Sequence, residues 1–274
     1  MTRFPARLYN EGMSDEVLID KHEHIATVTL NRPAQRNAIS YPMWLELAEV
    51  YGELEQDSSV RVVVITGAGD EAFSAGADIK DFQEHRNNPE TARVYASALE
   101  SALRALEGIS KPVISRINGF CVGGGCETTM STDIRIATEG SRFGIPVARI
   151  GITAGHHESQ RLVQVVGAAN AAYILLTADL IDANRALSMG LVHEVVPASQ
   201  LDERVSALAS RMSNLAPASH RIHKRILKTL AQGRTLDSLT QEERNLPLSV
   251  FATKDFEEGV RAFQEKRTAN FQGD

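Results

Sequence analysis

Hydrophobic residues follow two different patterns along the chain, and the change falls near residue 157. Before that point, short runs rich in β-branched residues alternate with longer stretches in which apolar residues recur every three or four positions. The short runs predict strands at 17–20, 24–30, 60–66, 112–117 and 133–137. The longer stretches predict amphipathic helices over 41–56 and 89–108. The first two strands predict a hairpin, because only a short charged segment separates them.

Beyond residue 157 the pattern is almost entirely helical. It predicts helices at 159–166, 170–177, 183–189, 201–213, 217–232, 235–250 and 254–266, with one brief strand at 192–196. Alternating strands and helices followed by helices alone indicate an α/β fold with a helical C-terminal region. We therefore predict a core over residues 1–200 and a helical region over 201–274.

Composition excludes several classes of protein. The chain has 274 residues, of which 43% are hydrophobic, and 29 basic against 35 acidic residues give a net charge of −6. The apolar content is enough for a packed core, and the absence of a basic block argues against nucleic-acid binding. The first twenty residues lack the apolar segment of a signal peptide, and no stretch is apolar enough to span a membrane. We expect a cytoplasmic protein with no membrane or nucleic-acid partner.

The two cysteines predict neither a disulfide scaffold nor a metal centre. Cys121 and Cys126 are not spaced as a CxxC pair, and no second Cys/His pair stands near them. We expect two buried, reduced thiols. The segment His156-His157-Glu158 does not match the spacing of known zinc motifs either, so no metal is expected.

Two glycine-rich turns carry the strongest chemical signal. One follows the strand at 60–66, and the other, at 118–128, follows the strand at 112–117. Neither matches a dinucleotide or phosphate-loop motif. Glycine lets backbone approach a ligand closely, and the first N–H groups of a helix have no helical partner. Two such turns on neighbouring strands predict an oxyanion hole for a carbonyl oxygen, although a glycine-rich turn is also ordinary turn chemistry.

Glu127 adds a candidate acid or base to the second turn. It lies three residues after Gly124, in the predicted first turn of a helix. A glutamate there also interacts favourably with the helix dipole without any catalytic role. Its apolar neighbours predict burial, which raises a carboxyl pKa and suits it to proton transfer.

Four motifs in order make the chain resemble the crotonase superfamily, the enoyl-CoA hydratase/isomerase proteins. They are NRPAQRNAIS at 31–40, SAGADIKDF at 74–82, the segment from KPVISRINGFCVGGGCE to FGIP at 111–146, and EEGVRAFQEKR at 257–267. The resemblance covers about residues 15–272. It implies a spiral of ββα repeats with a C-terminal helical trimerisation region, and hence a homotrimer or hexamer.

The resemblance assigns an oxyanion hole and one catalytic carboxylate. It places the two backbone N–H groups at Ala77 and Gly124, where a side chain on residue 124 would fill the place of the thioester oxygen. The first of the two catalytic glutamates of the family's hydratases aligns with Glu127. The second would follow Pro146, where this chain has Val147, which neither donates nor accepts a proton.

The segment that follows also departs from the family pattern. In GITAGHHESQRL, at 151–162, the final QRL fits the family, but Ala154 replaces a proline and the residues at 156–158 replace small residues. One interpretation makes the two histidines solvated turn residues and Glu158 a partner of the helix dipole. The other makes Glu158 or His157 the missing acid or base, for which a histidine pKa near 6.5 is well suited.

Binding residues for the CoA thioester carry over from the same resemblance. They are Arg36, Ala38, Ala75, Gly76, Asp78, Ile79, Phe263 and Lys266. The last two match positions that often reach the CoA of a neighbouring subunit, and a lysine there suits the phosphate charges. For Lys266 the alternative is a solvated helix end. Coenzyme A enters as part of the substrate, and no separate cofactor is expected.

The resulting hypothesis is an enoyl-CoA hydratase-like lyase of fatty acid metabolism, with an oxyanion hole that stabilises a thioester enolate. Three alternatives share the fold: a double-bond isomerase that works with one carboxylate, a CoA-thioester or diketone hydrolase that uses the histidines, and a catalytically weak acyl-CoA-binding homologue. The replacement of the second glutamate by Val147 motivates the last of these. The sequence does not identify the acyl group.

Overall fold

Two sheets form the centre of the molecule. The computed structural model describes residues 14–273. The larger sheet has six strands in the order β1-β2-β3-β5-β7-β10. These strands are β1 (Val17–His22), β2 (Ile25–Leu30), β3 (Val62–Gly67), β5 (Val113–Ile117), β7 (Ile134–Thr138) and β10 (Glu194–Val196). The hairpin β1–β2 is antiparallel, and every other pair is parallel. The predicted hairpin is confirmed.

The smaller sheet consists of short strands that periodicity did not reveal. It runs in the order β4-β6-β8-β9. Its strands are β4 (Ala72–Ser74), β6 (Phe120–Val122), β8 (Arg142–Gly144) and β9 (Ile181–Asp182). Runs of two or three residues are too short to show a period of two. Each of the first three follows a strand of the larger sheet, so the chain passes repeatedly from one sheet to the other. This alternation is the repeat expected of a ββα spiral.

The helices agree with the sequence prediction except in two places. They are α1 (Tyr41–Gln56), α2 (Phe82–His85), α3 (Pro89–Gly108), α4 (Gly124–Met130), α5 (His156–Thr177), α6 (Ala183–Ser188), α7 (Leu201–Ser213), α8 (Pro217–Ala231), α9 (Gln241–Asn245) and α10 (Lys254–Glu265). The two helices predicted at 159–166 and 170–177 are one element, α5, broken at Gly167 by non-helical backbone.

The single helix predicted over 235–250 was wrong. The structure has a 3-10 turn at Leu236–Ser238, the short helix α9, and a 3-10 segment at Leu246–Ala252. Thr240 starts a new helix, because its hydroxyl caps Glu243 while the Glu243 carboxylate accepts from the Thr240 N–H. Pro247 then ends the α-helical hydrogen bonding, since proline has no N–H to donate.

The main core lies between the helix pair α1–α3 and the sheets. Its largest fully buried side chains include Trp44, Tyr51, Tyr95 and Phe73. A second cluster joins the other face of the large sheet to α7, through Val64, Ile114, Val205 and Leu208 among others. Helix α7 therefore packs on the large sheet, although it begins the region that the sequence separates from the core. The division at residue 200 stays a prediction.

Several large apolar side chains remain exposed in this chain, most of them in α5 and the C-terminal helices. Within α5 and the C-terminal region, the most exposed are Phe263 at 87%, Leu176 at 83%, Leu236 at 68% and Leu227 at 64%. Within residues 14–273, no helix is both long and apolar enough to cross a bilayer.

Candidate active site

The two glycine-rich turns meet because the short strands before them are neighbours. Strands β4 and β6 pair in parallel, so the turn after Ser74 and the turn after Val122 leave the same edge of the small sheet. Gly76 has φ +101°, and a Cβ on it would lie 2.9 Å from the carbonyl oxygen of Val122. Gly123 has φ +51°, and a Cβ on it would lie 3.6 Å from the Gly76 Cα. Both turns require glycine, for positive φ and for close approach.

This packing brings the N–H groups of Ala77 and Gly124 together. The Ala77 nitrogen lies 3.7 Å from the position that a Cβ on Gly124 would take. The backbone on either side of Ala77 is hydrogen-bonded to Ile39. The Ile39 N–H donates to the Gly76 carbonyl, and the Ile39 carbonyl accepts from the Asp78 N–H. Gly124 is the first residue of α4 and its N–H has no helical acceptor. Within the described chain, neither N–H donates to a protein group. Two adjacent free donors are what an oxyanion hole requires.

The Trp44 ring packs against Gly124, which carries the second N–H donor. A Cβ on Gly124 would lie 2.9 Å from Cζ2 of the Trp44 ring. The ring is 1% exposed, and its Nε1 donates to the Tyr95 hydroxyl at 2.9 Å. A side chain at 124 therefore meets the tryptophan first, which adds to the reason for glycine given by the sequence. Trp44 is therefore part of the core that packs against the site.

Glu127 is a buried carboxyl in the first turn of α4. It is 7% exposed and makes no hydrogen bond or ion pair through its carboxyl group to any described residue. Burial, and after it the negative charge of Glu158, raise the pKa of Glu127 to about 8 against the opposing effect of Arg86. A carboxyl with this pKa is mostly protonated at neutral pH, so it has a proton to donate.

Glu158 is the second buried carboxylate, and it lies close enough to Glu127 to act on its charge. It sits in the first turn of α5 and is 7% exposed. A Cβ on Gly155 would overlap Oε2 of Glu158, so the glycine makes room for the carboxylate. Like Glu127, it has no hydrogen-bond or ion-pair partner among residues 14–273. Two buried carboxyl groups that interact electrostatically and lack protein partners are typical of an acid–base pair.

His157 and Val147 have different surroundings. The His157 ring is buried with 8% of its side chain exposed, and its Nε2 lies 3.3 Å from Oε2 of Glu107. Its Nδ1 is buried and has no partner. Val147 begins a 3-10 turn and packs against the main core. The imidazole is thus engaged by Glu107, whereas the carboxylate of Glu158 remains available.

Arg86 brings a positive charge to the same site. Its guanidinium lies 4.8 Å from the centre of the Phe82 ring and 4.5 Å from that of Tyr95. Stacking on two aromatic faces restrains the cation. Its charge lowers the pKa of Glu127 against the two larger effects that raise it. Periodicity gave no reason to select Arg86, because its partners come from two different helices.

Three predicted CoA-binding residues lie together beside the first glycine turn. Arg36 has a left-handed backbone and donates from Nε to Glu71 at 2.6 Å, with its side chain 56% exposed. Its carbonyl accepts from the Ala75 N–H at 2.9 Å. Ala38, two residues on, is buried at 8% exposure. The structure therefore joins the chain before α1 to the turn that carries Ala77.

The remaining predicted binding residues divide between two regions. Asp78 follows the first glycine turn, caps the N–H of Lys80, and pairs with Arg32 at 2.8 Å. Ile79 is 66% exposed next to it. Phe263 and Lys266 belong to the C-terminal end of α10, where Phe263 lines an open apolar groove with other C-terminal residues. Their role toward CoA stays a prediction.

The described residues hold no cluster of three or more His, Cys, Asp or Glu side chains that is arranged to bind a metal ion. Cys121 and Cys126 are both buried and unbridged.

Comparison with known proteins gives a consistent result over almost the whole chain. A sequence profile of the family described as enoyl-CoA hydratase/isomerase matches residues 20–274. The chain is 38% identical to the short-chain-enoyl-CoA hydratase of Clostridium acetobutylicum, over 92% of this chain and 96% of that protein. It is 37% identical to the crotonyl-CoA hydratase of Syntrophomonas wolfei, over 94% and 98%. Among solved structures, an enoyl-CoA hydratase/carnithine racemase from Magnetospirillum magneticum superposes with a TM-score of 0.92 at 36% identity, covering 96% and 97%.

Proposed function

The chain belongs to the enoyl-CoA hydratase/isomerase family and is an enzyme of the hydratase type, and from this premise we propose that Glu127 and Glu158 are the acid–base pair that adds water to a 2-enoyl-CoA thioester. The proposal concerns the residues and their roles. It assigns to Glu158 the role of the family's second glutamate, whose position in this chain is held by Val147.

One observation carries the proposal. Two buried carboxyl groups without protein partners lie within electrostatic range of each other, and one of them shares the first turn of α4 with Gly124, whose N–H is also free. Carboxyl and backbone N–H groups that make no hydrogen bond within the protein remain able to pair with a ligand. A thioester oxygen matches the two N–H groups, and a water at a double bond matches the two carboxyl groups.

The N–H groups of Ala77 and Gly124 act first. They donate to the thioester oxygen and stabilise the negative charge that develops there when a nucleophile adds to Cβ. The addition then produces an enolate, with its charge on the oxygen between the two donors. Because both donors are held by packed backbone, they need no rearrangement when the charge appears.

The two carboxyl groups move the protons. Glu158 carries the charge of the pair, accepts a proton from water, and so directs the hydroxide to Cβ. Glu127 holds the proton of the pair and donates it to Cα. The pair contains one proton before the reaction and one after it, on the opposite partner, and exchange with water restores the starting state. Interacting carboxyl groups that share one proton are a recurrent acid–base device.

Glu158 suits this role better than His157. The carboxylate of Glu158 acts directly on the charge of Glu127, whereas the His157 ring is already engaged by Glu107. In this proposal, the second carboxylate is supplied by a different position from the one after Pro146, which Val147 occupies. It moves from the turn before α5 to the first turn of α5 itself.

Crotonyl-CoA turnover by the purified enzyme tests the proposal. We expect measurable hydration by the parent, and losses on the order of 100- to 10,000-fold in kcat for both Glu127→Gln and Glu158→Gln, with CoA-ester binding retained. The amide keeps the shape of the carboxyl group and removes its titrating proton. Glu49→Gln, an exposed substitution on α1, is the matched control and should leave turnover unchanged.

The outcomes separate the alternatives. If Glu158→Gln keeps full activity while Glu127→Gln is inactive, the enzyme works with one carboxylate, and assays of double-bond migration become the better test. If crotonyl-CoA binds tightly to the parent and no conversion occurs, the assignment of this pair to hydration of that ester is wrong.

The assembly belongs to the same proposal. We propose a homotrimer or hexamer in which α5 and the C-terminal helices bury their exposed apolar side chains, among them Leu176 and Phe263. In this arrangement Phe263 and Lys266 approach the CoA bound to a neighbouring subunit.

A further inference from the structure

Glu107 occupies a position between the two helices that carry the carboxyl pair. It is the second-last residue of α3, and 16% of its side chain is exposed. Its Oε1 accepts from the Ser131 hydroxyl at 3.0 Å and lies 3.1 Å from Nε of Arg161. Its Oε2 lies 3.3 Å from Nε2 of His157. Ser131 directly follows α4, and the other two residues lie in the first turns of α5.

A second contact closes the same network. The guanidinium of Arg161 donates to the carbonyl oxygen of Met130, the last residue of α4, at 2.7 Å. The Ser131 hydroxyl also lies 3.4 Å from the carbonyl oxygen of Glu127. One carboxylate and one guanidinium therefore join the end of α4 to the beginning of α5. Glu127 lies within four residues of one end of this network, and Glu158 is adjacent to His157 at the other.

The location of Glu107 is unfavourable in isolation. A carboxylate in the last turn of a helix is repelled by the negative end of the helix dipole. Burial of most of its side chain adds a desolvation cost. The Ser131 hydroxyl, the His157 ring and the positive charge of Arg161 compensate both costs, so the position is favourable only through the helices that it connects.

We propose that Glu107 is a positioning residue that, through His157 and Arg161, fixes the distance and angle between Glu127 and Glu158. The inference rests on the proposed function, because it assigns Glu107 a task only if both carboxyl groups take part. It also explains why His157 and Glu158 stand together. The first anchors the start of α5 to Glu107, and the second presents its carboxylate to Glu127.

Loss of this anchor should affect the reaction more than binding. Proton transfer depends on donor–acceptor distance, and a displacement of about 1 Å typically costs on the order of 100-fold in rate. Ala77 and the CoA-binding residues lie on other segments, and Gly124 lies at the opposite end of α4 from Ser131, so we expect the oxyanion donors to keep their geometry. We therefore expect a lower kcat with little change in KM.

Steady-state kinetics on crotonyl-CoA test the proposal with Glu107→Gln and His157→Gln. Each should lower kcat by about 10- to 100-fold and change KM by less than about threefold, measured well below the thermal midpoint of each variant. Glu100→Gln is the matched control, because it lies on the same helix and pairs with Arg104 at 2.6 Å. It should match the parent. If Glu107→Gln fails to fold, His157→Gln, which removes only one contact, decides the question.

A double-mutant cycle distinguishes positioning from general stability. In the Glu158→Gln background, Glu107→Gln should cause little further loss of kcat, because the group it positions is already absent. Full loss in both backgrounds would overturn the proposal, and so would parent-like kcat in Glu107→Gln while Glu158→Gln is slow. A fully active Glu158→Gln single variant would instead contradict the proposed function itself.

Discussion

Glu127 is the residue whose environment matters most to the proposed chemistry. Burial and the charge of Glu158 raise its pKa to about 8, while Arg86 acts in the opposite direction. If Glu127 donates its proton to Cα, only the protonated form is active. The rate constant kcat/KM should then fall as the pH rises through about 8.

Removing Arg86 should shift the pH at which kcat/KM falls, in a direction that follows from its positive charge. A nearby positive charge favours the ionised carboxylate, so its loss raises the pKa of Glu127 further. In Arg86→Met, the fall in kcat/KM should therefore begin at a higher pH than in the parent. Arg104→Met, which removes an exposed charge from α3, serves as the control and should keep the parent profile. A shift to lower pH in Arg86→Met would contradict the assignment of Glu127 as the acid.

Gly124 is constrained both by its packing against Trp44 and by its proposed role as an oxyanion donor. In Gly124→Ala the new methyl group would lie 2.9 Å from the buried Trp44 ring, closer than carbon atoms normally approach. Either the ring or the start of α4 must move, and movement of α4 misplaces one oxyanion donor. Loss of such a donor typically costs on the order of 100- to 1000-fold in kcat.

A glycine outside the site provides the comparison for that measurement. Gly140→Ala places its methyl group in open space, with no atom within 4 Å, and should retain the parent kcat. Parent-like turnover in a folded Gly124→Ala variant would mean that the N–H of residue 124 is not an oxyanion donor.

At the scale of elements, two helical glycines should respond to alanine in opposite directions. Gly52 lies inside α1 with helical neighbours and open space around it, so Gly52→Ala should stabilise the protein by roughly 0.5–1 kcal/mol. Gly167 breaks α5 with φ +78°, also in open space. Its ψ of 159° places it in a region that only glycine adopts readily, so Gly167→Ala should destabilise by roughly 1–3 kcal/mol through backbone strain. Chemical denaturation of both variants beside the parent measures the two signs. Equal effects would show that the break in α5 is not required by the fold.

The break in α5 divides the helix into two parts with different surroundings. The first turn of α5 carries His157 and Glu158, and its packing against α4 and α3 sets their direction. The second half of the helix follows a different axis after Gly167 and exposes Leu176. One element thus carries the carboxylate of the proposed acid–base pair at one end and an apolar surface at the other.

For the whole molecule, the exposed apolar side chains predict self-association. Phe263 and Leu176 are more than four-fifths exposed, and Leu236 and Leu227 are about two-thirds exposed. A monomer rarely leaves such groups in water when they form continuous patches. Light scattering of the purified protein at micromolar concentration should give a mass of three or six times 29.9 kDa. A mass of one chain would contradict the proposed assembly.

The sequence by itself determined the large elements and the residue types of the site. The runs at α1, α3 and α7 are long enough for the helical period to fix their bounds, and apolar runs such as β3 identify buried strands. Glycines at 76, 123 and 124 and the carboxyl of Glu127 were evident because turns and buried acids have strong residue preferences. The departure at 156–158 was visible as a break in a family motif.

Tertiary structure decided which of these residues act together. The strands β4 and β6 are too short to show a period, yet their pairing is what brings Ala77 next to Gly124. Only packing reveals that His157 faces Glu107 while Glu158 acts on Glu127, since adjacent helix residues point in different directions. Trp44, Arg86 and Glu107 act through contacts between elements far apart in the chain. No local pattern encodes such contacts, although an acidic residue in the last turn of α3 was one available signal.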